Sequence, residues 1–248
     1  VVLTVQTGDA APRTLPIRTS TYSDIRKLMK KAYSDELRER VHRMSDGRLG
    51  YLDIAAMDMA SYYQFEEEIF SEGYGHDGMI IDVRDNSGGF VADRILQVLC
   101  GSSHSLAAFR DSPPAYLCGY WGRPVWDKPI VVLCNETTAS NGEIFTHAIK
   151  TLKRGRVVGV TTGARVIATN DRPLLDYGKL RMPSRGWFLM DGRDMEKYGA
   201  EPDVIVEEDP NQTVQGVDVQ LNAAIKALLE DVEQRKREHP PVELKYFR

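Results

Sequence analysis

Met79-Ile80-Ile81-Asp82-Val83-Arg84-Asp85-Asn86-Ser87-Gly88-Gly89 joins a short apolar run to a charged step and a double glycine. An apolar run of this length bounded by turn residues reads as a buried strand, and the glycines permit a sharp bend after it. Residues 91–99 continue at helical spacing, so the whole stretch is strand, turn and helix. The rhythm repeats on both sides. Residues 49–54 predict a strand, and 61–71 a helix carrying Tyr62, Phe65, Ile69 and Phe70. Downstream, 130–133 reads as a strand, 142–152 as a helix and 157–160 as a strand, followed by a turn-rich β region to about residue 190. A late strand at 204–206 and a long helix at 217–235, with Leu221, Ala224, Ile225 and Leu228 inward, close the series. This alternation predicts an α/β core over residues 48–235, a mixed sheet with parallel pairs and flanking helices. In such sheets, sites form beyond the carboxyl ends of the strands.

The flanks differ in kind. Residues 1–7 and 14–19 alternate apolar and polar around Gly8-Asp9 and Pro12, a β-hairpin pattern. A lone hairpin cannot bury its own face, so residues 1–20 are expected to end a β-rich module that begins upstream. The start on Val1-Val2-Leu3, without methionine or a signal-like segment, agrees with a piece of a longer protein. Residues 21–47 read as a surface connecting segment. Within it, 23–43 is charged and helix-compatible, with a partial apolar stripe of Ile25, Leu28, Met29 and Tyr33. Ser45-Asp46-Gly47-Arg48 is a turn in which Gly47 supplies the permissive backbone. Residues 236–248 read as a C-terminal tail, a mobile or docking extension.

Composition narrows the classes. With 248 residues, 42% hydrophobic and 27% charged, the chain is one large domain with at most a small appendage. Global disorder and fibrous repeats are excluded. Every apolar run is broken before the roughly 20 residues that a membrane span needs. A net charge of -4 with mixed signs gives no basic face for nucleic acid. Neither membrane nor nucleic acid is expected as a partner. Cys100, Cys118 and Cys134 lack both C-x-x-C spacing and an even count, so they form neither a zinc site nor a disulfide framework. Cys134 ends the run Ile130-Val131-Val132-Leu133 and reads as a buried thiol. Such usage fits a reducing, cytoplasmic compartment. His42, His76, His104, His147 and His239 have no ligand spacing, and no metal or cofactor is expected.

Two segments sit where sites form. In Asp82–Gly89, successive glycines bring N–H groups close to a bound oxygen anion, and the following helix N-terminus adds positive potential. The plain alternative is a tight strand-to-helix turn. In Thr137-Thr138-Ala139-Ser140-Asn141-Gly142-Glu143, again between strand and helix, Ser140 is placed as a nucleophile would be. Here the plain alternative is a capping box, because Glu143 stands three residues after Ser140. G-x-S-x-G is absent, so this is no α/β-hydrolase elbow.

Taken together, D-x-R-x-N-x-G-G at residues 82–89, T-x-S-x-x-E at 138–143 and Gly199-Ala200-Glu201-Pro202-Asp203 resemble the core of the tail-specific, or C-terminal-processing, serine protease family. The resemblance covers about residues 48–229 and implies a ClpP/crotonase-like α/β fold. Residues 1–19 are similar to the last strands of the PDZ-like domain that precedes this core. One branch of the family pairs the serine with a lysine in a T-x-G-K segment; the matching stretch here is Thr161-Thr162-Gly163-Ala164-Arg165, with Ala164 at the lysine's place. Arg165 cannot substitute, because a guanidinium does not give up its proton. The tricorn-like branch instead uses serine, histidine, a second serine and a glutamate three residues before the glycine of G-x-x-P-D, which is Glu196 before Gly199. The chain is identified with that branch.

The resemblance implies that Ser140 is the nucleophile and that Glu196 positions the base. It further makes the backbone N–H groups of Gly89 and Asn141 the oxyanion donors, with Gly88 lining the substrate path. The branch has aspartate where Asn141 stands, and only the main-chain N–H is required there. The base histidine lies upstream of the PDZ-like domain and so outside this chain. Local histidines do not replace it: His147 is two helical turns from Ser140, about 10 Å along the axis. The branch's preference for basic residues depends on an aspartate that has no counterpart near Leu106-Ala107-Ala108; Asp111 is out of register, and the preference is not carried over. The expected partners are a peptide or unfolded polypeptide, the upstream domains of the same protein, and further copies of the chain in a homo-oligomer. The rival is a non-catalytic peptide-binding or assembly module on the same fold. A nucleotide-binding oxidoreductase is excluded, because the third glycine of its fingerprint is missing after the strand at 157–160.

Overall fold

Five strands form the central sheet of the computed structural model, in the order β11 (Val204–Ile205), β8 (Arg156–Gly159), β7 (Ile130–Cys134), β4 (Gly78–Asp82) and β3 (Leu49–Asp53). All four pairings are parallel. The structure describes residues 1–109, 112–119, 125–240, 242 and 244. Every residue of β4 and β7 is buried, as a parallel sheet covered on both faces requires.

The strands neighbour one another in sequence order, so right-handed crossovers place α2 (Met59–Ser71), α3 (Ala92–Cys100) and α4 (Asn141–Thr151) on one face. There Phe65, Ile69, Ile95, Phe145 and Ile149 pack with Met79, Ile81, Val132 and Cys134. Side chains alternate along a strand, which turns Ile80, Val131 and Leu133 to the other face. That face is covered by α7 (Val219–Glu238), which packs on β3, β4, β7 and β8 and buries Leu221, Ala224, Ile225, Leu228 and Val232. Each of the leucine, isoleucine and valine side chains contributes about 1.5–3 kcal/mol on burial. The core is therefore three layers, helix, parallel sheet and helix, and the expected α/β class is observed. Among the described residues no helix is long and apolar enough to cross a membrane.

Among the described residues, antiparallel strand pairs form three separate hairpins, and one isolated antiparallel bridge joins Phe188 to Asp194. The hairpins are β1 (Val2–Val5) with β2 (Arg13–Pro16), β5 (Ser103–Phe109) with β6 (Ser112–Gly119), and β9 (Ala168–Pro173) with β10 (Lys179–Arg185). The chain divides into two compact units, Val1–Glu39 and Arg40–Arg248. The first holds the β1–β2 hairpin and most of α1 (Tyr22–Met44). Its apolar stripe, Ile25, Leu28, Met29 and Tyr33, is exposed. Short helices α5 (Met195–Tyr198) and α6 (Pro210–Val214) lie in the second unit.

Two local features depart from the sequence pattern. The pattern marks no strand over residues 103–109, yet His104 stands in β5, where its Nε2 meets the Gly119 carbonyl at 3.0 Å. The run Ser102-Ser103-His104-Ser105 hides this strand, since an exposed hairpin needs no apolar face. α7 also continues to Glu238, past the expected boundary at residue 235; Arg235, Lys236 and Arg237 in its last turn favour the negative end of the helix dipole. Asp111 and most of the tail beyond 240 lie outside the described residues.

Candidate active site

β4 and β7 are neighbours with Asp82 level with Leu133, so the segments that follow them leave the same sheet edge side by side. Asn86, fully buried, shapes the first. Its Nδ2 donates to the Ile54 carbonyl (2.6 Å), its Oδ1 accepts the Gly88 N–H (2.8 Å), and its carbonyl accepts the Ala139 N–H (2.9 Å). Thr138 Oγ1 donates to the Val83 carbonyl at 2.8 Å, and Asn135 Oδ1 accepts the Asp85 N–H at 2.9 Å. The two segments are thereby stitched together along their length. Gly88 (φ 87°) then meets Ser140: a Cβ on Gly88 would stand 2.5 Å from Ser140 Cβ and 3.0 Å from its Oγ. Gly89 (φ 150°) is equally obligate, because a Cβ there would lie 2.0 Å from the Met57 carbonyl oxygen.

Ser140 caps the N-terminus of α4 with φ 55° and ψ −122°. A non-glycine residue held there costs about 1–3 kcal/mol, which the surrounding contacts must offset. The predicted capping box is present, with Ser140 N–H donating to Glu143 Oε1 (2.9 Å) and the Ser140 side chain turned to the Glu143 N–H, which also donates to the Ser140 carbonyl (3.0 Å). Among the described residues, the N–H groups of Gly89 and Asn141 have no hydrogen-bond acceptor. Ser140, Gly88, Gly89 and Asn141 are thus gathered at one point by two loops and a helix start.

Glu143 is fully buried, and no cation pairs with it among the described residues. Besides Ser140 N–H, its carboxylate accepts Thr162 Oγ1–H (2.6 Å), Ala164 N–H (2.7 Å) and Arg165 N–H (2.8 Å). Four donors satisfy a charge that would otherwise be costly to bury. Thr162 Oγ1 in turn accepts the Ala200 N–H (2.8 Å), tying in the Gly199–Asp203 segment. Glu196, on α5, holds the next two amides of the same loop: its Oε2 accepts Val166 N–H (2.6 Å) and Ile167 N–H (2.8 Å). The loop connects Glu196 to α4 through Glu143, without bringing the Glu196 carboxylate itself into a hydrogen bond with Ser140.

Asp82 and Arg84 serve another purpose. Arg84 Nη2 donates to Asp82 (2.7 Å) and Nη1 to Asp218 (2.9 Å), the N-cap residue of α7. Burial alone would weaken the hold of the guanidinium on its proton; the charges of Asp82 and Asp218 overcome this and raise its pKa. Burial pushes the Cys134 thiol up to about 12, and the three cysteines are unlinked. His147 Nε2 meets Thr151 Oγ1 at 3.0 Å, one turn further from Ser140, and burial followed by Lys150 lowers its pKa. Among the described residues no cluster of His, Cys, Asp or Glu is fit to hold a metal.

This order of loops and this residue set have a known counterpart. Residues 48–206 match the profile of Peptidase family S41. The chain belongs to peptidase family S41. Its relatives include the tricorn protease of Thermoplasma volcanium, 32% identical over 219 residues, which cover 88% of this chain and 21% of that protein. The tricorn protease homolog of Saccharolobus solfataricus is 31% identical over 234 residues, 94% of this chain and 21% of that one. A crystal structure of the tricorn protease superposes with a TM-score of 0.78 at 29% identity, over 92% of this chain and 22% of that one. The chain spans about a fifth of the length of these relatives. The S41 match covers β3 through β11, and with it Gly88, Gly89, Ser140, Asn141 and Glu196.

In this S41 core, sequence reasoning missed Asn86, Thr162, the reach of Glu143 and the side chain of Asn141. Asn86 carried a faint signal as a turn-forming residue before two glycines. Glu143 was masked by its local cap, and its other donors come from residues 162–165, a separation that no local pattern reveals.

Proposed function

We propose that this chain carries the nucleophile-bearing core of a tricorn-like serine peptidase that cleaves peptides or unfolded polypeptides through an acyl-enzyme. The observation that carries the reading is Ser140, held at φ 55° at the start of α4 with Gly88 packed against its side chain. Ser140 Oγ attacks the scissile carbonyl as the base takes its proton, and the carbonyl electrons move onto oxygen. The N–H groups of Gly89 and Asn141 receive that oxyanion. Collapse breaks the C–N bond, the base returns the proton to the leaving amine, and water releases the acyl group from serine.

Glu196 orients the base, which is a histidine from a part of the protein upstream of this chain. Residues 1–20 are the end of a PDZ-like domain, residues 21–47 a connection, and residues 236–248 a tail. The upstream domains and further copies of the chain complete the working assembly, in the cytoplasm. The tricorn names of the relatives and the shared S41 core support this reading.

Fluorophosphonate labelling of the full-length protein tests it. Label is expected on Ser140, and Ser140→Ala is expected to lose both labelling and peptide hydrolysis while staying folded. Undiminished hydrolysis by Ser140→Ala, or a folded full-length protein that takes no label, would leave the non-catalytic module as the better account.

A further inference from the structure

An oxyanion hole works only if its two donors stay aimed at one point, about 2.7–3.1 Å from each. Here the candidate donors, Gly89 and Asn141, lie on segments far apart in sequence, so something must hold the segments in register. The bonds of Thr138 to Val83 and of Asn135 to Asp85 tie them near the sheet, and the Ala139 N–H on the Asn86 carbonyl (2.9 Å) and the close approach of Gly88 to Ser140 tie them at the turn. A further link reaches the helix beyond the turn. Asn141 Oδ1 accepts the Ala92 N–H at 2.8 Å. Ala92 is the first residue of α3, three positions after Gly89, and the residue in the N-cap position, Val91, makes no side-chain cap bond. Asn141 therefore caps α3 from α4, and one residue supplies a candidate donor from its backbone while its side chain fixes the strand-to-helix turn that presents the other.

We infer that the Asn141 side chain is a positioning residue that holds the two halves of the oxyanion hole in register. The inference rests on the serine peptidase reading of Ser140. Its value is practical, since a backbone donor is removed only by proline, which disturbs the turn, whereas the bond that aligns the donors is removed at a side chain. Without it, α3 loses its cap and Gly89 is free to shift relative to Asn141. The substrate's binding contacts are untouched, so the loss falls on the transition state.

The test compares Asn141→Ala, Asn141→Leu and Asn141→Asp in the full-length protein, by peptide hydrolysis and by the rate of fluorophosphonate labelling. Ala and Leu are expected to lower kcat and the labelling rate about 10- to 100-fold, short of or equal to the loss of one donor, with KM unchanged. Asp, whose carboxylate also accepts the Ala92 N–H, is expected to stay within a few-fold of the parent. A kcat retained by Asn141→Ala despite a lower melting temperature would reduce the bond to an ordinary helix cap and overturn the inference. So would an Asp variant as impaired as Ala. Failure of the peptidase reading shows separately, as hydrolysis that survives Ser140→Ala whatever stands at 141.

Discussion

Glu143 and Glu196 divide four successive main-chain N–H groups of one loop between them: Glu143 takes those of Ala164 and Arg165, and Glu196 those of Val166 and Ile167. The loop is thus clamped from two sides, by the helix that carries Ser140 and by α5. Ala164, at the place where another branch of the family is expected to carry lysine, has φ 54° and donates its N–H into this clamp. The segment that would supply a lysine base serves here as a strut between the helix of Ser140 and Glu196.

Glu143→Gln tests the clamp. An amide in place of the carboxylate turns an NH2 group towards donors, leaving at least one buried donor unpaired at a cost of about 1–3 kcal/mol. Urea unfolding is expected to show that loss, and amide hydrogen exchange at Ala164 and Arg165 to accelerate. Glu196→Gln is expected to accelerate exchange at Val166 and Ile167 instead. Exchange that is unchanged at all four amides in both variants would remove the clamp.

The D-x-R pair of the motif is expected to be structural. Arg84 is 9% exposed and bridges Asp82 to Asp218. Removing one partner of such a buried network costs about 3–5 kcal/mol. Arg84→Ala is expected to lose stability of this order in chemical denaturation, with kcat per folded molecule unchanged. A catalytic defect without a stability defect would place Arg84 in the site instead.

His147 supplies a pH dependence with a definite sign. Burial first, and the positive charge of Lys150 second, set its folded-state pKa below the ordinary 6.5. A group depressed in this way contributes stability that is complete above the ordinary value and is lost as pH falls through the folded-state value. Unfolding free energy is therefore expected to decline from about pH 7 towards pH 5, and the decline to be shallower in His147→Gln. The same variant is expected to keep the acidic limb of the pH–rate profile, since His147 is bonded to Thr151 further along the helix. Loss of that limb would identify His147 with the base.

How much of this was legible in the sequence depended on range. β4 and β7 are buried on both faces, so their apolar runs announced them, and Gly88-Gly89 marked the bend. Ser140, Gly89 and Asn141 could be singled out because three short motifs occur in a fixed order. The hairpin of β5 and β6 stayed hidden, because its polar strand segment has none of the alternation by which strands are read. Glu143 looked like half of a local box, while three of its four donors come from residues 162–165. Nothing in the residue type revealed the left-handed backbone of Ser140, which is imposed by Gly88, the Asn86 turn and Glu143 together.

That backbone makes a last prediction, in which stability and activity part company. Ser140 holds φ 55°, where an L-residue is disfavoured by roughly 1–2 kcal/mol and glycine is not. Ser140→Gly is therefore expected to unfold at higher denaturant than Ser140→Ala, although glycine loses more entropy on folding at ordinary positions. Neither variant retains an Oγ, so both are expected to be unlabelled by fluorophosphonate. Gly88→Ala should show the converse: it keeps the hydroxyl but sets a Cβ 2.5 Å from Ser140 Cβ at φ 87°. It is expected to lose about 1–3 kcal/mol and most of its labelling rate, because the collision moves the Ser140 side chain. Equal stability of Ser140→Gly and Ser140→Ala would mean that the serine carries no backbone strain, and the site would then be an ordinary helix start.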